Sequence, residues 1–240
     1  VTLPILGALF WVVIIPLALL VIKRRPSDIG QFPDGWPIQD QEEQSRGSVN
    51  YAAQLRTWTR REAMGTATFW AIVASFVLAM TAQVSYLMHQ ISFLSQTLGT
   101  TGAASAVSLT AGASIAGRLT LGTFVDRIDK RYVAMGLIFF QALAVLSLAF
   151  SNHVVVLYLG TFAFGITMGG ILMMQSLIIG ECFGMVSFAT GLFIACGSAF
   201  GPAIAGFIFD ATQSYRIAFI IFAVISFVSA LAVYFAKPPE

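Results

Sequence analysis

The chain has 240 residues, of which 58% are hydrophobic and only 10% are charged, with a formal net charge of +2 and a mean hydropathy of +0.84. Soluble domains carry about 25% charged residues, so this composition excludes a soluble fold and makes the lipid bilayer the solvent for most of the chain. The net charge is too small to indicate a nucleic-acid partner. The two cysteines, Cys182 and Cys196, have no metal-ligand or disulfide spacing, and the sequence predicts no metal site and no cofactor.

Seven apolar segments of roughly twenty residues follow one another, and each predicts a membrane-spanning helix. Their predicted bounds are 1–22, 66–88, 101–125, 132–150, 154–178, 184–209 and 215–236. Every connection except 23–65 is short, so successive spans are predicted to be antiparallel neighbours. The fold class is therefore an all-α membrane protein with seven transmembrane helices.

The first span has no basic stretch before it, so we expect no cleavable signal peptide and expect the chain to belong to a longer one. In the connection that follows, residues 26–48 are rich in Pro, Gly, Asp and Gln, which predicts an irregular linker. Residues 49–63 predict a short amphipathic helix on the membrane surface, and a solvated helical entry to the next span fits them equally well. Its apolar residues at helical spacing are Tyr51, Leu55 and Trp58.

The basic residues are distributed asymmetrically. All thirteen Lys and Arg residues except Arg118 and Arg216 lie in alternate connections, beginning with the first. Because cytoplasmic loops carry the excess of Lys and Arg, we predict a multi-pass protein of the cell (inner) membrane. Its N-terminus would lie outside, and the loop 23–65 and the tail 237–240 would lie in the cytoplasm.

Small residues recur at helical spacing in two spans. Such pairs let helix backbones approach closely, and here they are Gly165 with Gly169, and Gly197 with Gly201 and Ala205. Gly201 and Pro202 lie inside the span 184–209 and predict a bend that would serve as a hinge. The alternative is that Gly and Pro are simply common in membrane helices.

One arginine, Arg118, lies within the apolar third span. An arginine near the bilayer centre costs about 2.5–3.5 kcal/mol on translocon scales, so it is expected to face a water-filled cavity close to the midplane. Its helical neighbours Thr110, Ala111, Ser114 and Gly122 predict a small, hydroxylated face around it. Because a guanidinium matches a carboxylate with two hydrogen bonds, we predict that Arg118 binds a small organic anion. The alternative is a structural arginine that snorkels or pairs with backbone carbonyls.

Other polar residues within the spans are candidates for lining the same cavity, although a lone glutamine often only bonds a neighbouring helix. With Ser114, they are Gln83, Tyr86, Gln141 and Gln175. His89, near an outer span end, is predicted to be an interfacial residue or a pH sensor. The carboxylates nearest to the spans are Asp126, Glu181 and Asp210, all in loops or at span ends. The sequence therefore leaves proton symport, exchange and uniport open.

The charged turn, residues 122–131, reads Gly-Thr-Phe-Val-Asp-Arg-Ile-Asp-Lys-Arg. It resembles the cytoplasmic loop signature of the major facilitator superfamily, Gly-x-x-x-Asp-Arg-x-Gly-Arg-Arg, with Asp129 in place of the second glycine. The resemblance implies that the first span is the family's sixth helix, that 23–65 is the linker between the two halves, and that 66–236 is the six-helix C-terminal bundle. Substrate would bind between this bundle and an N-terminal six-helix half, so this chain alone is not expected to transport.

The same resemblance implies that the charged turn is a cytoplasmic gate. Its members would be Gly122, Asp126, Arg127, Lys130 and Arg131. Asp126 would pair with Arg127 or Arg131 and with the N-terminus of the span 184–209, and Gly122 would allow the close helix approach. The alternative is an ordinary loop of the cytoplasmic side, which would also be basic.

The run Ser114-Ile-Ala-Gly-Arg118 is similar to the eighth-helix pattern of monocarboxylate porters, except that Ser114 replaces an aspartate. Residues 24–35 resemble the central-loop entry of bacterial members of that branch, and residues 184–210 resemble their eleventh helix. The related oxalate–formate antiporters carry a lysine in that helix, which is missing here, so a dicarboxylate is disfavoured. The resemblance implies a secondary active transporter for small organic anions, with monocarboxylates favoured.

Two alternatives remain at this point, a seven-helix membrane receptor and a major facilitator carrier of a non-carboxylate solute. A retinal pump is excluded because Lys23, Lys130 and Lys237 all lie in loops. We expect no enzyme, since no paired carboxylates, metal-spaced histidines or activated nucleophile lie in or beside a span.

Overall fold

The computed structural model describes residues 11–18, 60–183 and 188–234. The chain divides into two compact units, Val1–Arg56 and Thr57–Glu240. In the first unit the described residues 11–18 are helical, so most of the predicted span 1–22 and most of the loop 23–65, including Tyr51, Leu55 and Trp58, lie outside the described residues, as does the tail 237–240.

Seven α-helices make up the described part of the second unit. They are α1 Arg60–Met64, α2 Ala67–Gly122, α3 Lys130–Phe150, α4 Val154–Phe183, α5 Phe188–Ser198, α6 Phe200–Thr212 and α7 Tyr215–Tyr234. Five helical stretches here are long and apolar enough to cross a membrane: α2, α3, α4, Phe193–Thr212 and α7. The predicted all-α class is confirmed for these residues.

The longest helix, α2, reverses direction at Gly99. Gly99 has φ +69° and ψ 176°, a backbone conformation that glycine adopts without steric cost. The side chain of Gln90 donates a hydrogen bond to Thr110 Oγ1 at 2.6 Å, although twenty residues of straight helix would separate them by about 30 Å. α2 is therefore two antiparallel segments, α2a (residues 67–98) and α2b (residues 100–122).

The helix bounds of the structure correct several predicted boundaries. The predicted connection 89–100 is almost entirely helical, because one glycine suffices to turn the chain. The predicted turn 179–183 is the last part of α4. The predicted span 101–125 is too long, since α2b ends at Gly122 and a 3₁₀ turn, Val125–Arg127, follows. Arg118 is therefore four residues from the end of its helix.

The predicted span 184–209 is interrupted between α5 and α6, at Ala199. Pro202 has no N–H and cannot bond the carbonyl of Ser198 four residues earlier, so the interruption lies within the turn that precedes Pro202. The interruption lies close to Gly201 and Pro202, and the bend and hinge predicted from these two residues stay predictions.

Small residues and hydroxyl groups lie at the contacts between the helices of the bundle. α2 packs against α4 and α7, and α3 packs against α4 and α7. Ser75 and Ser229 join α2a to α7, each hydroxyl donating to the other's carbonyl, at 2.9 and 2.7 Å. A Cβ at Gly165 would lie 2.7 Å from the carbonyl oxygen of Thr110, and one at Gly201 would lie 2.6 Å from that of Thr81. Both predicted small-residue pairs therefore lie at close helix contacts.

Candidate substrate site

Arg118 lies on α2b, one helical turn before its end at Gly122. At 1.5 Å per residue, about 6 Å separate Arg118 from that end. Arg118 also lies against Gly169, which is in the middle of the 30-residue α4. The carbon stem of Arg118 is thus level with the middle of α4 and about one helical turn from the end of α2b.

The side chain of Arg118 is exposed. Among the residues that the structure describes, none forms a hydrogen bond or an ion pair with its guanidinium. The other described cations within the second unit lie in α1, in the charged turn or at a helix start, whereas Arg118 lies inside a helix of membrane-spanning length. Within the described part of the chain, the donors of this guanidinium are therefore without a protein acceptor.

The exposed face of α2b differs from that of α7. Between residues 104 and 120 the exposed positions besides Arg118 are small or hydroxylated apart from the two aliphatic residues Ile115 and Leu119: Ala104, Ser105, Ser108, Ala111, Gly112, Ala116 and Thr120. α7 instead exposes large aliphatic residues, Ile217, Ile221, Val224, Val228 and Leu231. Large aliphatic side chains suit lipid, and small residues suit a helix or aqueous interface. The face of α2b is therefore the less lipid-like of the two.

The hydroxyl groups predicted beside Arg118 lie elsewhere. Thr110 is 2% exposed and Ser114 is 5% exposed, and both belong to the contact with α4, at Gly165 and Gly169 respectively. Of the small neighbours of Arg118, Ala111 and Gly122 are exposed.

Three further predicted binding residues are enclosed by the bundle. Tyr86 and Gln141 have no exposed surface, and Gln83 is 2% exposed. The Tyr86 hydroxyl lies 3.2 Å from Thr161 Oγ1, and Gln141 Nε2 donates to the carbonyl of Ala79 at 3.2 Å. The amide oxygens of both glutamines have no hydrogen-bond partner within the described residues. Gln175, in contrast, is partly exposed on α4, so the structure does not bring these four residues together around Arg118.

The charged turn is organised by Asp129, the residue that departs from the family signature. Asp129 caps α3 by accepting from the backbone N–H of Arg131 at 2.9 Å. It also binds the Arg131 guanidinium with both oxygens, from Nε at 3.1 Å and from Nη2 at 2.6 Å. These bonds hold the pKa of Asp129 below its ordinary value. Sequence reasoning missed this role, although an aspartate directly before a helix is a common N-cap.

A second ion pair joins the charged turn to α4. Lys130 Nζ lies 3.3 Å from Glu181 Oε2, with the two side chains 23% and 52% exposed. The side chain of Asp126 and residues 184–187, its expected partners, lie outside the described residues. No described residue lies within 4 Å of a Cβ built on Gly122, whereas one on Gly117 would lie 3.1 Å from two backbone atoms of Ile166. The close helix approach therefore occurs one turn earlier than expected.

His89 connects three helices rather than lying only at an interface. Its Nε2 is 3.1 Å from the carbonyl oxygen of Pro202, which can accept a hydrogen bond from this nitrogen. Its Nδ1 is 3.3 Å from the hydroxyl of Tyr215. The interrupted helix α6 is thus bonded to α2a and α7.

Comparison with known proteins identifies one family. The sequence profile of the Major Facilitator Superfamily matches residues 2–198. No curated protein matches the chain. Members of this family are multi-pass membrane transporters and not enzymes. The match therefore favours a transporter over the alternative of a seven-helix receptor. Since the match covers most of the chain and agrees with its apolar helices, the chain belongs to the Major Facilitator Superfamily.

Proposed function

We propose that the chain carries the C-terminal half of a secondary transporter that moves small organic anions by alternating access, with monocarboxylates as the favoured class. The observation that supports this most is Arg118, an exposed guanidinium without a protein partner among the described residues, within a membrane-length helix. A carboxylate would satisfy two of its donors at once and neutralise its charge.

The surroundings of Arg118 support access by water. The small residues along the exposed face of α2b leave room beside the helix, and this face would line the path between the two halves of the transporter. Gln175, partly exposed on α4, is a candidate second contact for the substrate. We assign Gln83, Tyr86, Gln141 and Ser114 to helix packing, because the bundle encloses them.

We propose that the second unit crosses the bilayer six times, since the reversal at Gly99 divides α2 into two crossings, α2a and α2b. Transporters of this class place the substrate between two pseudo-symmetric halves. The partner surface would therefore be an N-terminal six-helix half, and lipid would cover the aliphatic face of α7.

The charged turn is proposed as the cytoplasmic gate. Its basic residues follow the positive-inside rule, the pair Lys130–Glu181 joins the start of α3 to the end of α4, and the pair Asp129–Arg131 caps α3. Gly201 and Pro202 would provide the hinge during opening.

The test is uptake of labelled pyruvate, lactate and formate into vesicles that contain the complete transporter. Arg118→Lys keeps the charge but loses the two-bond geometry. The matched control is Arg216→Lys, because Arg216 is also exposed and lies 4.8 Å over the ring of Phe150 at the opposite end of the bundle. Loss of uptake in Arg118→Lys alone supports the proposal, and unchanged uptake contradicts it.

A further inference from the structure

The carbon stem of Arg118 lies in a groove that a single glycine provides. A Cβ built on Gly169 of α4 would lie 3.0 Å from Arg118 Cγ and 3.0 Å from the carbonyl carbon of Ser114, and closer still to the carbonyl oxygen of Ser114. Real Cβ atoms almost never approach other atoms so closely. Any side chain at position 169 would therefore displace the helix turn that carries Arg118, the arginine stem, or both.

We propose that Gly169 is a positioning residue for substrate binding, acting through Arg118; this rests on the proposed function. A planar guanidinium binds a carboxylate with two bonds only in a narrow range of orientations. Its direction is set by its long stem, which loses freedom when it packs against a neighbouring backbone. Gly169 thereby directs the guanidinium to the exposed side of α2b instead of leaving it to sample many rotamers.

The same helix offers a matched control, Gly165. A Cβ there would lie 2.7 Å from the carbonyl oxygen of Thr110 and 2.8 Å from Ala113 Cβ. Gly165→Ala therefore disturbs the same helix pair, one turn away and by a shallower overlap than at Gly169, without touching Arg118. An effect of general helix packing would appear in both variants, and an effect on Arg118 only in Gly169→Ala.

The experiment measures KM and maximal uptake rate for pyruvate in vesicles of the complete transporter, normalised to the amount of protein in the membrane. Since misplacement of a binding group by about 1 Å can cost up to roughly 100-fold, we expect Gly169→Ala to raise KM about 10- to 100-fold. Gly165→Ala should leave KM unchanged. In the Arg118→Lys background, Gly169→Ala should cause no further fall in the residual uptake.

Equal KM shifts in the two alanine variants, or a further fall in the residual uptake of Arg118→Lys on adding Gly169→Ala, would overturn the positioning role while leaving the proposed function intact. Full uptake by the single variant Arg118→Lys would contradict both the positioning role of Gly169 and the proposed function. If Gly169→Ala does not reach the membrane, its level is compared with that of Arg118→Ala/Gly169→Ala. A higher level for the double variant supports the contact, and an equal level overturns it.

Discussion

The close contact of Gly117 on α2b with Ile166 on α4 provides a prediction with a calculable size. A Cβ built on Gly117 would lie 3.1 Å from both the Cα and the carbonyl carbon of Ile166, and closer to its oxygen. These are backbone atoms, so α2b and α4 must separate to admit a methyl group. Overpacking of this kind costs about 1–3 kcal/mol. Gly112, on the same helix, has no atom within 4 Å of a Cβ.

The gain in helix propensity on replacing glycine by alanine, about 1 kcal/mol, is common to Gly117→Ala and Gly112→Ala. It cancels in their difference, which isolates the overlap with Ile166. We therefore expect Gly117→Ala to be less stable than Gly112→Ala by about 1–3 kcal/mol. Gly170→Ala should lie near Gly112→Ala, because its close neighbours are the flexible ends of leucine side chains.

The assay is reversible unfolding of the purified chain in mixed micelles by increasing denaturing detergent, followed by circular dichroism. The three variants are compared under identical conditions, so that only differences in the free energy of unfolding are interpreted. Equal stability of Gly117→Ala and Gly112→Ala, or a more stable Gly117→Ala, would refute the close contact between α2b and α4 and with it the depth assigned to Arg118.

Two predictions concern the charged turn and the helix interruption. Asp129→Asn should remove a stabilising contribution that is complete above the ordinary Asp pKa and is lost as pH falls through the lowered pKa of Asp129. Unfolding measured between pH 2 and 6 tests this, and an identical pH dependence of stability in the wild type and in Asp129→Asn would contradict it. Pro202→Ala should restore a hydrogen bond to the Ser198 carbonyl and make the helix continuous through Ala199. Hydrogen exchange should then show a protected amide at position 202, and rapid exchange of that amide would contradict the view that Pro202 causes the interruption.

Much of the fold could be predicted from composition and length alone. Apolar segments of about twenty residues located the helices, because a bilayer leaves the backbone few alternatives. Their ends were less accurate. The segment 89–100 contains polar residues and was read as a loop, yet it is helical up to the single reversal at Gly99. Hydropathy indicates where a helix leaves the apolar part of the bilayer. It does not indicate the residue at which the helix itself ends.

The site was less accessible to sequence reasoning. Arg118 could be identified from the sequence because a cation in an apolar span is costly. The orientation of its neighbours could not be predicted in the same way. Helical spacing places Ser114 one turn from Arg118, and only the position of α4 decides that Ser114 is buried while Arg118 is exposed. Likewise, comparison with the family signature directed attention to Asp126 and treated Asp129 as a departure, although Asp129 is the residue that binds Arg131.

The central claim is that the guanidinium of Arg118 binds the substrate's carboxylate. Its most direct test compares inhibition of uptake by a monocarboxylate and by its neutral amide, in the wild-type transporter and in Arg118→Gln. A charge-assisted hydrogen bond contributes about 1.5–3 kcal/mol, so the wild type should prefer the carboxylate by about 10- to 100-fold, and Arg118→Gln should lose this preference while still reaching the membrane. An undiminished preference for the carboxylate in Arg118→Gln would contradict the account.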